Sequence, residues 1–310
     1  MLCLLPASIV RGQIYVADFS AGTIAEYNFD GTAVNTSLIS GLSNPNGIAI
    51  SGSNIFVTNQ SAGTVGEYTT SGATVNASLI SGLNGPLSVV VSGSNLYVAS
   101  RDGTVGEYTT AGATVNASLI SGLSSPYFMA LSGANLFVSN MGSGKIGEYG
   151  LDGTIINASL ISGLNQPFGI GVSGSNLFVS NFGEDSGTTV SEYTTAGKLV
   201  NASFLSGLNQ GPTGIAISGS NIYVASLGVM IGFGSVGEYT TSGTTTNGSF
   251  ITGLGAPFGI AVVAPSDQPT DTPAMPLWAL AALGALLMGA AARFLPVAAT
   301  LSPRSPGRRR

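Results

Sequence analysis

The chain has 310 residues, of which only 7% are charged and 44% hydrophobic, with 45 glycines. Such a composition excludes an acidic disordered tail and favours many short strands joined by Gly-rich turns. All 14 acidic residues lie before residue 275, against four bases (Arg11, Arg101, Lys145 and Lys198), so the body has no footprint for a phosphate backbone and nucleic-acid binding is not expected. One cysteine (Cys3) and no histidine rule out an internal disulfide and a Cys/His zinc site, and remove the commonest general base.

Residues 1–12 form a short apolar lead-in, which we read as the remnant of a signal peptide or an unstructured start. From residue 13 the chain is dominated by a repeat. Glu-Tyr recurs at Glu26-Tyr27, Glu67-Tyr68, Glu107-Tyr108, Glu148-Tyr149, Glu192-Tyr193 and Glu238-Tyr239, in steps of 40 to 46 residues. Insertions near Glu184–Gly187 and Leu227–Gly234 account for the two longest steps. One unit, starting at Pro45, reads Pro-Asn-Gly-Ile-Ala-Ile, a Ser-Gly-Ser-Asn turn, Ile-Phe-Val-Thr-Asn, a Gly-containing turn, Thr-Val-Gly-Glu-Tyr-Thr, another turn, and Ala-Ser-Leu-Ile-Ser-Gly-Leu. That is four β-rich segments bounded by Gly, Ser, Asn or Pro, with no helical period before residue 275. Four antiparallel strands every ~40 residues are the blade pattern of a β-propeller.

The innermost-type strand is expected at Gly47–Ile50, Ser88–Val91, Phe128–Leu131, Gly169–Val172, Gly214–Ile217 and Gly259–Val262. A second-type strand, Ile14–Ala17, precedes them all. The chain therefore starts at strand two of one blade and ends at strand one, and joining these completes a sixth blade and removes the open edge. The expectation is an all-β, six-bladed propeller over 13–263, closed by shared terminal strands. Both faces of each strand look apolar, as burial between two neighbouring blades demands.

Beyond it, 264–276 reads as a Pro/Asp/Thr linker, 277–301 as a transmembrane or sorting segment, and 302–310 as a basic tail. The run Leu277–Ala292 is uninterruptedly apolar and is followed by Arg293, which can snorkel. The Arg-rich end stays cytoplasmic, which puts the propeller outside, as an exported protein on the cell surface or held to the membrane.

The unit Pro-x-Gly-Ile-Ala, then Ile/Leu-Tyr/Phe-Val-Ala/Ser/Thr, then Val/Ile-Gly-Glu-Tyr and a Gly turn, resembles the NHL-repeat family and the related Tyr-Val-Thr-Asn surface propellers over residues 13–263. The resemblance is specific for fold; family members span binding modules, scaffolds and enzymes. The linker, apolar helix and basic end are similar to bacterial sorting signals processed by exosortase-type enzymes. Thr272-Pro-Ala-Met-Pro276 stands where such signals carry Pro-Glu-Pro.

The residues after the repeat Pro are Asn46, Leu87, Tyr127, Phe168, Thr213 and Phe258. They either pack or form an aromatic channel rim that could hold an apolar or sugar-like ligand. In lactonase-type propellers, which this chain resembles in architecture, Asn and Asp near such positions help hold a divalent metal; here that implies Asn46, with Asp18, and calcium as the alternative cofactor. The residues ending strand two (Asp18, Asn59, Ser100, Asn140, Asn181 and Ser226) form a polar ring or cap turns. The six Glu of Glu-Tyr are read as strand-surface residues. The six Asn-x-Ser sites (Asn35, Asn76, Asn116, Asn157, Asn201 and Asn247) match glycosylation acceptors in a eukaryotic secretory setting, and in a bacterium mean turns. No nucleophile elbow, phosphate loop or paired carboxylates are present, so the enzyme question leans to no. The first reading is a monomeric, surface-anchored module that binds a protein or glycan of the cell envelope or fills a structural role. The alternative is a metal-dependent, lactonase-like hydrolase using the central channel.

Overall fold

A computed structural model describes residues 12–183, 188–208, 211–228 and 230–264. The linker, the apolar C-terminal segment, the basic tail and the lead-in before residue 12 lie outside them. Among the described residues no helix is long and apolar enough to cross a membrane.

The described chain forms 24 strands in six four-stranded antiparallel sheets. Blade one contains β1 (Gln13–Asp18), β2 (Thr23–Asn28), β3 (Ala33–Ile39) and, as its inner strand, β24 (Pro257–Val263). Blade two runs from β4 (Pro45–Ser51) through β5 (Asn54–Asn59) and β6 (Thr64–Thr69) to β7 (Thr74–Ile80). Blades three to six repeat this order as β8–β11, β12–β15, β16–β19 and β20–β23, with inner strands β8 (Pro86–Ser92), β12 (Pro126–Ser132), β16 (Pro167–Ser173) and β20 (Pro212–Ser218). The all-β, six-bladed architecture is as expected, and a single 3₁₀ turn, Met141–Ser143, interrupts the described strands.

Closure is a strand exchange between the two ends of the propeller. β24 pairs antiparallel with β1, from Gln13 opposite Val263 to Asp18 opposite Pro257. Six apolar clusters fill the six junctions between blades. On β1, Ile14 and Val16 face Tyr223 and Ala225 of blade six, while Tyr15 and Ala17 face Ile55 and Val57 of blade two. Side chains alternate across a strand. Each strand-two segment thus serves two interfaces, which is why the sequence is apolar at both parities. All ten tyrosines have phenol pKa values raised, burial being the first cause in each, Tyr15 most strongly.

The repeated polar residues are consumed by the blade itself. The Asn that opens strand two donates to the Glu of Glu-Tyr on strand three: Asn54 to Glu67 (2.7 Å), Asn95 to Glu107 (2.7 Å), Asn135 to Glu148 (2.6 Å), Asn176 to Glu192 (2.8 Å) and Asn221 to Glu238 (2.9 Å). In blade one Gln13 stands in that place, and the Tyr15 hydroxyl bonds Gln13 and reaches toward Glu26. Burial raises the carboxyl pKa of Glu26 and Glu192. These Glu are strand-to-strand ties, each used once per blade.

Every Asn-x-Ser unit sits on an exposed outer strand, and its Asn Oδ1 accepts the Ser N–H two residues on, at 3.0–3.1 Å in all six blades. The strand register shifts beside each Asn. An outer strand is an open edge that invites pairing with another chain. Spending one edge N–H on a side chain and bulging the ladder blunts that edge.

Candidate functional site: one mouth of the central channel

The inner strands lie close around the channel. Thr58 Oγ1 accepts the Gly47 N–H (2.7 Å) and donates to the Leu87 carbonyl on the next blade (3.2 Å). Ser139 joins Phe128 to Phe168 in the same way (2.9 and 2.6 Å), and Ser180 joins Gly169 to Thr213 (2.6 and 2.8 Å). Where strand two carries Ala99 or Ala225 instead, another hydroxyl bridges the junction. Ser88 accepts from Met129 N (3.3 Å), and Thr213 donates to the Pro257 carbonyl (2.8 Å). The waist of the channel is a cavity of about 70 Å³, bounded by Ile48, Ser88, Phe128, Ile170, Ile215 and Ile260. Apolar side chains bound it, yet the surface it exposes is mainly polar.

Two rings of residues build the mouth above this waist. The first is the expected one after the repeat Pro. Asn46, Leu87, Phe168 and Thr213 are buried there, and Tyr127 and Phe258 are half-buried. The second consists of Phe19, Gln60, Arg101, Met141, Phe182 and Leu227, each one residue beyond the end of strand two. The N–H of each donates to the carbonyl of the residue just before a repeat Pro: Ala256, Asn44, Gly85, Ser125, Gln166 and Gly211 in turn, at 2.9–3.3 Å. Five of those pre-Pro residues have positive φ, including Asn44, Ser125 and Gln166, where a Cβ makes this conformation costly. The cost fixes the carbonyl that positions the second ring. Reading the sequence had singled out the residues one place earlier (Asp18, Asn59, Ser100, Asn140, Asn181 and Ser226) and missed this ring. The missed signal was variation: in repeats otherwise nearly alike, these two positions hold Asn, Leu, Tyr, Phe, Thr, Phe and Phe, Gln, Arg, Met, Phe, Leu.

The mouth has two unlike halves. On one side the rings of Phe19, Phe258, Tyr127, Phe168 and Phe182 form a continuous cluster. Tyr127 and Phe168 have centroids 3.7 Å apart, Phe19 and Phe258 5.0 Å, Phe168 and Phe182 5.3 Å, and Phe168 and Phe258 5.8 Å. The rim beside Phe19 carries exposed Met230, Ile231 and Phe233, whose loop touches Gly255 through Gly232 N (3.4 Å). The other side is polar. The Gln60 amide oxygen accepts both Nε and Nη2 of Arg101 (2.9 and 2.8 Å). An open pocket of about 400 Å³ lies there between Gln60, Ser61, Leu83, Asn84, Gly85 and Arg101. Burial raises the Tyr127 phenol pKa, while Asn46 and Arg101 beside the hydroxyl draw it back. Asn46 is wholly buried, yet neither its Oδ1 nor its Nδ2 completes a hydrogen bond.

These residues do not suit a calcium ion. Asp18 is committed elsewhere: its carboxylate accepts the N–H groups of Gly255 (2.6 Å), Ala256 (2.9 Å) and Ala21 (3.1 Å). It clasps the start of the propeller to the loop entering β24. Asn46 then has Leu87, Tyr127, Phe168, Thr213 and Phe258 as its ring companions, and calcium requires six to eight oxygens. Among the described residues no group of three acidic, His or Cys side chains converges.

This geometry has many structural counterparts. A chain from the crystal structure of a nidogen/laminin complex is similar with a TM-score of 0.67 and 17% identity, covering 83% of this chain and 100% of that one. The structural counterparts also include lactonase and virginiamycin-lyase propellers. A gluconolactonase from Xanthomonas campestris gives a TM-score of 0.60 at 15% identity, covering 72% of this chain and 81% of that one. Virginiamycin B lyase from Staphylococcus aureus, in a catalytically inactive form with quinupristin, gives 0.58 at 17%, covering 82% and 90%. At such identities the likeness establishes the fold alone. No family model and no curated protein sequence matches the chain.

Proposed function

We propose that the protein is a non-enzymatic recognition propeller of the cell envelope, held at the membrane by residues 277–301, that binds a protein or glycan partner at the mouth formed by the two variable rings. One observation carries this reading: repeats that agree in their cores and edges diverge at the two rings, and both rings meet at one mouth. Packing explains constant positions. Eight residue types spread over twelve equivalent positions at one surface are what a single asymmetric partner requires. The mouth offers aromatic faces, amides and one guanidinium, which bind, and holds no assembled acid–base pair. The nidogen/laminin likeness, a propeller solved with a protein partner, supports a binding role. The gluconolactonase likeness favours hydrolysis by fold only, and the donors at Asn46 and Asp18 do not supply the site that would need.

The test compares two variants of the full-length chain as bait for an envelope extract, after showing that both retain the wild-type melting temperature within about 2 °C. Arg101→Ala with Tyr127→Ser alters the mouth, and Ser53→Arg alters an exposed turn at the opposite end. The expected result is a captured partner lost with the mouth variant and kept with Ser53→Arg. Capture by both variants alike, or loss only with Ser53→Arg, contradicts the reading.

A further inference from the structure

The polar half of the mouth has a composition that specifies its ligand more narrowly, if the mouth is the binding surface proposed above. Arg101 is a cation prepared in advance. Its stem lies flat over Gly85, where a Cβ would meet Arg101 Cδ at 3.0 Å and Cγ at 3.3 Å. Its backbone N–H is fixed by the Asn84 and Gly85 carbonyls (3.0 and 3.3 Å), and its guanidinium is held by the Gln60 amide. Among the described residues no carboxylate forms an ion pair with it, although the body of the chain is strongly acidic. A guanidinium fixed in position and paired only with neutral groups is a receptor for a planar anion. Beside it, the buried Asn46 amide lies against the Tyr127 hydroxyl without completing a hydrogen bond, at a cost that a ligand-driven shift could relieve.

The anion must be small in charge and attached to something apolar. A polyanion would be repelled by the acidic body, with only Arg101 to offset it. From the Arg101 pocket the surface continues through Tyr127 to Phe258, 6.5 Å between ring centroids, and to Phe19, a further 5.0 Å, and the Gly232 N–H to Gly255 carbonyl bond brings the loop that carries exposed Met230, Ile231 and Phe233 to this side. That run of three rings offers faces to several successive side chains, where a small acid would engage one. We infer that the mouth binds the free C-terminal carboxylate of a protein partner, with the carboxylate on Arg101 and the last apolar side chains laid over the aromatic cluster. Capture of a chain-terminal carboxylate is a recurrent recognition mode, since it selects a chain end whatever the remaining sequence.

The experiment exposes the full-length chain to two peptide libraries with the last four positions randomised, one ending in free carboxylate and the other amidated. Binding is scored by enrichment and then by anisotropy of the recovered peptides. Expected are free-acid peptides with apolar last residues that bind at least tenfold tighter than their amidated twins. That preference should vanish in Arg101→Gln at unchanged melting temperature. If both libraries enrich equally, the mouth still binds peptides but the carboxylate assignment is overturned. If neither library enriches, both the assignment and the mouth as a peptide-binding surface fall. A carboxylate preference that survives Arg101→Gln overturns the assignment to Arg101, and competition by phenylacetate as strong as by the best peptide overturns the protein partner in favour of a small aromatic acid.

Discussion

Replacing Asp18 by Ala is expected to lower stability by about 3–5 kcal/mol, a fall of roughly 10 °C in melting temperature for a domain of this size. The carboxylate is 4% exposed and accepts three backbone N–H groups, two of them from Gly255 and Ala256 at the other end of the propeller. Hydrogen bonds to a charged group contribute about 1.5–3 kcal/mol each, and the three act together, so their sum is not reached. Without the clasp, the β1–β24 seam keeps its ladder but loses the bonds that hold its entry loop. Asp18→Asn separates charge from shape. With its oxygen in the Oδ1 place it keeps the Ala21 and Ala256 N–H groups while its amide nitrogen faces the Gly255 N–H, so it should recover only part of the loss. Asp102→Ala is the control: Asp102 is exposed, accepts only the Thr104 hydroxyl (2.7 Å), and should cost under about 0.5 kcal/mol. Thermal unfolding followed by circular dichroism measures all three.

The second large effect is expected at Gly169, on inner strand β16. A Cβ there would lie 1.9 Å from the Thr213 carbonyl oxygen of the next blade and 2.9 Å from the Ser180 hydroxyl. Neither neighbour is the free end of a flexible chain. Ser180 bridges Gly169 N to that same carbonyl, so Ala must push β16 from β20 and break the bridge. Overpacking alone costs about 1–3 kcal/mol, and the broken bridge adds to it. A total of about 3–5 kcal/mol is expected, or failure to accumulate folded protein. Gly248→Ala, on an outer strand where the only neighbour is Thr245 Cγ2 at 3.9 Å, should be nearly neutral. Equal effects of the two would mean that the close approach of the inner strands is not what Gly169 serves. Ser88 and Phe128 occupy the same position in blades three and four. Gly47, Gly214 and Gly259 hold it in three others, where a Cβ would lie 2.8, 2.3 and 2.2 Å from the Leu87, Phe258 and Asn46 carbonyl oxygens, so the constraint recurs in four of the six blades.

How much of this was legible follows from where each partner lies. The blades could be read because their signals are local: turns, Pro, and β-rich segments recur within 40 to 46 residues, and the unpaired Ile14–Ala17 segment required a partner from the far end. The six Glu lie on strands as read, but Glu26, Glu148, Glu192 and Glu238 are buried and not on the strand surface, and for five of the six the Asn partner lies only 12 to 17 residues away. Asp18 was different. An acid next to a channel suggests a metal, and its real partners stand 237 and 238 residues along the chain. The second mouth ring was hidden for a related reason. Gln60 and Arg101 look like turn residues until the pre-Pro carbonyls fix them and bring them together across two blades. Tyr127 and Phe168 share a register position in their repeats, but their contact depends on how closely the inner strands pack.

The most direct test of the central claim, that this propeller works by recognition at its mouth and not by metal chemistry in its channel, is thermal unfolding of the full-length chain with and without millimolar calcium. A native site filled at 100 times its dissociation constant would add ~2.7 kcal/mol, a shift of several degrees. The account predicts no shift, because Asp18 is occupied by backbone N–H groups and the ring around Asn46 offers too few oxygens. A shift of several degrees with calcium that is abolished by Asn46→Ala would contradict it and return the channel to metal-dependent hydrolysis.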